Sequence, residues 1–113
     1  MATELISIGN YLRLMLNGDK EAAVTSITVN HVPTLFTSGL SQGHTRKKFF
    51  LQNNNATGEG EIYYGFSNTI AYNSNSVAVK EQTKVEVYVS EQVPIYFVAK
   101  SGEAGDLRIE EIS

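Results

Sequence analysis

The sequence has no cysteine and no tryptophan, and only two prolines. Without cysteine there is no disulfide framework and no thiolate-bound zinc or iron–sulfur centre. Basic charge is scarce. Nine Lys and Arg stand against twelve Asp and Glu, for a formal net charge of −3 and a pI near 5.3, which argues against a dedicated nucleic-acid binder. No apolar run approaches the ~20 residues that span a bilayer. The start, Met1-Ala2-Thr3-Glu4, sets no basic stretch ahead of an apolar one, so no secretory signal is expected.

What is present fits one folded domain. The chain has 113 residues, 42% of them hydrophobic and 19% charged. That balance is neither disordered nor coiled-coil in character. A chain of this length buries enough surface for one core. The expectation is a single soluble β domain over residues 1–113, with no linker and no internal repeat.

Period-two alternation carries the fold. Val85, Val87 and Val89 alternate with polar residues and Tyr88, placing three valines on one strand face. In the run 94–100, Ile95, Phe97 and Ala99 alternate with Tyr96 and Val98, so both faces are at least partly covered. Gly102 and Gly105 mark a turn over 101–106, and a last strand over 107–112 puts Leu107 and Ile109 together. Earlier, 46–53 reads as a strand with Phe49 and Leu51 inward, 61–66 as one with Ile62, Tyr64 and Phe66 aligned, and 25–29 as one with Ile27 and Val29 inward. Short strands are expected near 34–36 and 77–80, and Asn- and Ser-rich loops over 53–60 and 68–76. Residues 1–20 read two ways. Leu12, Leu14 and Leu16 alternate before Asn17-Gly18, as in a hairpin strand, while Leu5, Ile8, Leu12 and Met15 keep helical spacing. Strand is favoured, with a helix or an arm that orders only on assembly as the alternatives. Seven or eight short antiparallel strands predict an all-β sandwich or jelly roll.

Reactive constellations are few. Gly39-Leu40-Ser41-Gln42-Gly43 matches the G-x-S-x-G elbow of α/β-hydrolases. That elbow needs a helix after the serine, then an acid and a histidine downstream. Here a strand follows, and the two histidines are His31, ahead of Ser41, and His44, too near to fold back. The plainer reading is a turn between strands. Neither histidine lies at metal-ligand spacing, and no calcium loop is present. No enzyme activity, cofactor or metal is expected. Asn55-Ala56-Thr57 is a glycosylation sequon by pattern alone.

The candidate contact residues are Arg46, Lys47, Lys48, Phe50, Tyr63, Tyr88 and Tyr96. Arg46-Lys47-Lys48 is the one basic run. In an acidic chain it suits a solvated strand edge or contact with an acidic protein surface better than nucleic acid. Phe50, Tyr63, Tyr88 and Tyr96 fall opposite the inferred core. Tyrosine offers apolar area with a polar tip, which suits a self or partner contact.

Residues 46–112 resemble a module of small structural proteins of tailed bacteriophages. The landmarks are Arg46 followed by Phe49, Leu51 and Asn53, then Ile62-Tyr63-Tyr64-Gly65, then the run 93–102 ending in Ser101-Gly102, then Leu107-Arg108-Ile109-Glu110-Glu111. The Asn- and Ser-rich stretch after Gly65 departs from the pattern. The resemblance implies a virion part made in the bacterial host cytoplasm, similar to capsid decoration or cement proteins. Its implied partners are the major capsid protein or another virion protein, with self-association as a dimer or trimer, and neither nucleic acid nor membrane. A neck, tail or fibre-base adaptor is the alternative. A carbohydrate-binding sandwich using the tyrosines is a third reading, disfavoured by the lack of tryptophan.

Overall fold

The computed structural model describes residues 20–113. These form eight strands: β1 Ala22–Val29, β2 Thr34–Leu35, β3 Lys48–Asn53, β4 Ile62–Gly65, β5 Val77–Val79, β6 Lys84–Glu86, β7 Tyr96–Ala99 and β8 Gly105–Ile112. The pairing is nested. β1 pairs with β8, β2 with β7, β3 with β6 and β4 with β5, each antiparallel. Further pairing of β3 with β8 and β4 with β7 joins them into two four-stranded sheets, β1-β8-β3-β6 and β2-β7-β4-β5. Successive nested pairs thus alternate between sheets, as when one long antiparallel ribbon is rolled up. The all-β expectation holds, and its form is a jelly roll.

Alternation explains which side each sheet buries. In β3, Phe49, Leu51 and Asn53 are buried while Lys48, Phe50 and Gln52 turn outward. In β8, Leu107 and Ile109 are fully buried and meet Asn53 and Leu51 in register. Ile95, Phe97 and Ala99 close the core from the other sheet, with Ile62 and Val79. The Phe36 ring bridges the sheets, 5.4 Å from Phe49 and 6.1 Å from Phe97. Val85, Val87 and Val89 all pack on this core as expected. Burial of each large side chain contributes roughly 1.5–3 kcal/mol before entropy is counted.

Several boundaries move. β1 begins at Ala22 rather than residue 25, β3 at Lys48 rather than 46, and β7 at Tyr96 rather than 94. β6 is only Lys84–Glu86, although the Val87 amide still donates to the Phe49 carbonyl at 2.8 Å. Gly105 opens β8 instead of closing the turn. It sits opposite Val29, and a Cβ there would lie 2.5 Å from the Ile62 side chain. Glycine is therefore required by close packing, not by a turn. The expected strand or arm over 1–20 lies, but for Lys20, outside the described residues.

Candidate interaction faces

The expected contact residues separate onto different parts of the roll. Lys48, Phe50 and Tyr88 belong to the outer side of the β1-β8-β3-β6 sheet. Register places Val24, Glu110, Phe50 and Glu86 in one row across its four strands. The Lys84 ammonium lies 4.8 Å over the Phe50 ring and 3.2 Å from Glu110. Tyr88 is 88% exposed, and its hydroxyl donates to the Glu86 carboxylate at 3.2 Å. That hydrogen bond, with the carboxylate's charge, holds the phenol above its ordinary pKa. A shallow groove of about 220 Å³ runs between Val24, Phe50, Gln52, Lys84, Arg108 and Glu110. Arg108 grips the Asp106 carboxylate through Nε and Nη2, at 3.1 and 3.2 Å, and the Asn54 amide donates to it at 3.1 Å. These donors lower the Asp106 pKa, and the Asp106 carboxylate in turn raises that of Arg108. Acidic and basic groups interleave across this face, which suits a protein contact better than a polyanion.

Tyr63 and Tyr96 lie on the opposite side of the molecule, outside the β2-β7-β4-β5 sheet. Tyr96 pairs with exposed Leu35 on one flank and Gly65 on the other. Tyr63 meets Tyr72 edge-on, with centroids 6.2 Å apart, and Lys100 stands 5.7 Å from the Tyr72 ring. Partial burial, followed by the nearby Glu61, raises the Tyr63 pKa. Ile70 and the Asn75 carbonyl crowd over Gly65, so the 66–76 loop folds across this sheet. An edge-on aromatic pair, one ring of which belongs to the loop, does not offer the flat platform that a sugar ring stacks on.

Arg46 is not a surface cation. Only 9% of the residue is exposed. Its Nη1 lies 3.6 Å from Glu111 Oε2, and its guanidinium stacks 4.3 Å from the Phe49 ring centroid. Glu111 is itself fully buried and accepts from the Ser38 hydroxyl and the Gly39 amide, both at 2.7 Å. The basic run therefore divides: Lys47 and Lys48 face solvent, and Arg46 fastens the 36–46 connection to β8. Arg46 Nε and Nη2 have no hydrogen-bond partner among the described residues. Nearby, Phe36, Ser38, Glu91 and Val93 share with Arg46 the lining of a cavity of about 280 Å³.

The Ser41 pattern also resolves. No helix follows it. Its hydroxyl donates to Glu21 at 2.9 Å, and His44 Nε2 lies 3.2 Å from the same carboxylate. A hydrolase triad sets the imidazole between hydroxyl and acid. Here the acid stands between the other two, an arrangement that ties a loop to the residue before β1. His31 is exposed. Asn55 of the sequon is buried, donating to the Gly60 and Ala104 carbonyls and accepting from the Asp106 amide. It is closed to modification in the folded state.

Sequence reasoning missed three features. Val24, 68% exposed beside Phe50, lies upstream of the strand start that periodicity located. Tyr72 lies in the Asn- and Ser-rich loop as composition indicates, but nothing in that composition shows its ring meeting Tyr63. Glu111 continues the inward parity of Leu107 and Ile109, and that parity was a usable signal for a buried carboxylate.

No protein-family model matches the chain, and no curated protein matches it. Among solved structures it is similar to one described by the words "Bacillus endospore appendages form a novel family of disulfide-linked pili". The TM-score is 0.49 at 9% identity, over 82% of this chain and 84% of that one.

Proposed function

We propose that this chain is a non-enzymatic structural protein of a phage virion, a decoration protein that binds and stabilises the assembled head shell. The observation that carries the proposal is the outer side of the β1-β8-β3-β6 sheet. It is a broad strand face that gathers Lys48, Phe50 and Tyr88 with Val24 and balanced charges. The resemblance over 46–112 supplies the setting. Two of its landmarks, Arg46 and Asn53, are spent on internal contacts: Arg46 on Glu111, and Asn53 on the Gly60 and Val79 carbonyls. They maintain the roll and leave its faces free for contact. Jelly rolls recur in capsid and lectin domains, an analogy of fold rather than evidence of role.

The work of such a protein is thermodynamic. Binding only the assembled shell shifts the equilibrium toward it by mass action. Many symmetry-related copies multiply a modest contact energy. Quantitative mass spectrometry of purified particles tests this directly. A copy number matching the shell lattice is expected. A dozen copies or fewer would place the chain at the neck or tail, and none would end the virion proposal.

A further inference from the structure

The outer side of the β1-β8-β3-β6 sheet carries its charges in bands. Register gathers the outward side chains into rows that cross the strands, each row about 7 Å from the next. The first row holds Lys48 beside Ile112 and Ala22. The second holds Glu110 and Glu86, with Val24 and Phe50 between and beside them. In the third, Arg108 and Lys84 alternate with Ser26 and Gln52. The fourth pairs Thr28 with Asp106, which also accepts from the Asn54 amide. Along the strands the charge therefore runs one cation, two carboxylates, two cations, one carboxylate. Turned end for end, this order is its own complement. Val24, Ser26, Lys48, Lys84 and Arg108 are exposed, so the face is open to solvent.

We infer that this face docks on the same face of a second copy, about a two-fold axis that crosses the strands between the second and third rows. That rotation lays each strand antiparallel over its own counterpart and exchanges the two middle rows. Glu110 then faces the partner's Arg108, and Glu86 faces the partner's Lys84, each contact occurring twice by symmetry. Phe50 lies over the partner's Gln52, and Val24 over the partner's Ser26. Lys48 meets the partner's Asn54. Among the described residues no like charges are superposed. An axis along the strands would instead set acidic row on acidic row and basic on basic. The charge order thus selects both the orientation and the register. Within each copy Lys84 already holds Glu110, and Arg108 holds Asp106. Docking extends these pairs into a network and buries no lone ion. The interface is isologous and closes at two copies. The patch measures about 15 by 20 Å, less than the roughly 800 Å² per partner of a stable complex, so the dimer is weak and sensitive to salt. The inference rests on the reading of this face as a contact surface and not on the virion setting. A shell would compete with the second copy for it.

Sedimentation velocity on the full chain is the test, over a concentration series reaching the high micromolar range. The variants are Arg108→Glu and Glu110→Arg, studied apart and mixed. Each alone sets like charges against each other across the axis. Together in one dimer they restore both contacts, with two carboxylates on one copy facing two guanidinium groups on the other. The parent chain is expected to dimerise, and to dissociate as salt is raised. Each variant alone should associate at least tenfold more weakly, with circular dichroism unchanged, and the equimolar mixture should recover the dimer. If a variant loses its fold, Lys84→Glu and Glu86→Lys make the same exchange on β6. A parent chain that is monomeric throughout, or trimeric, overturns the inference. So does a dimer that the single variants leave intact, and so does a mixture that stays monomeric. Sedimentation needs no shell and a particle copy number needs no dimer, so failure of this inference and failure of the virion proposal are told apart.

Discussion

At the residue scale, the Arg46–Glu111 pair decides most. Removing one partner of a buried pair leaves an uncompensated charge, at a cost of about 3–5 kcal/mol. Glu111→Ala also orphans the Ser38 hydroxyl and the Gly39 amide. It is expected to lower unfolding free energy by that amount in urea titration. A loss under about 1 kcal/mol would mean the pair is not the lock described here. Asp106 makes a separate prediction through pH. Its pKa is lowered in the fold by Arg108 and Asn54. The carboxylate therefore contributes stability above its unfolded pKa of about 3.9, and the contribution fades as pH falls through the lower folded value. Asp106→Asn should flatten the stability profile over that acid window, its small loss being present at neutrality and gone below the folded pKa. An acid limb of the same slope in both proteins would exclude the assignment. The site is exposed, so the effect is small.

At the element scale, the alternation of β3 gives one strand two jobs. Phe49 and Leu51 hold the core, while Phe50 and Lys48 face outward. Substitutions on the two faces should therefore behave differently. Phe49→Ala removes a buried ring and is expected to cost about 3–5 kcal/mol. Phe50→Ala with Tyr88→Ala should move the melting temperature by only a few degrees and yet reduce occupancy on shells at least tenfold. Loss of binding with a retained melt locates the contact on this sheet. Retained binding moves it to the Tyr63 and Tyr96 side. Much of this was legible in the sequence, because period two states which residues share a face. What was not legible was how long each strand runs. β1 reaches back to Ala22 because β8 offers Ile112 as its partner there, and no local signal near residue 22 announces a strand that pairs ninety residues away.

At the scale of the whole molecule, nesting sets the folding problem. The chain must bring residue 22 to residue 112, and Lys48 to the same Ile112, before the β1-β8-β3 ladder exists. Loop closure precedes any reward from those contacts, so folding should be slow for the chain's size, in milliseconds to seconds. Stopped-flow refolding followed by tyrosine fluorescence checks this; a microsecond phase carrying the full amplitude would contradict the nested pairing as the rate-setting feature. The basic run shows the same dependence on long-range structure. Three consecutive cations look alike in sequence, yet Glu111 arrives from the far end of the chain and takes Arg46 inside, leaving Lys47 and Lys48 out.

The sequence by itself determined the all-β character, the inward and outward sets of its strands, and the exclusion of disulfides and thiolate metal centres. These follow from composition and local periodicity, which act over a few residues. Only the tertiary structure decided the jelly-roll order, the burial of Arg46 and Glu111, and the separation of the aromatic residues onto two opposite faces. Each of these depends on which strand lies beside which. That choice is made by contacts between segments far apart in the chain, where local pattern carries no information.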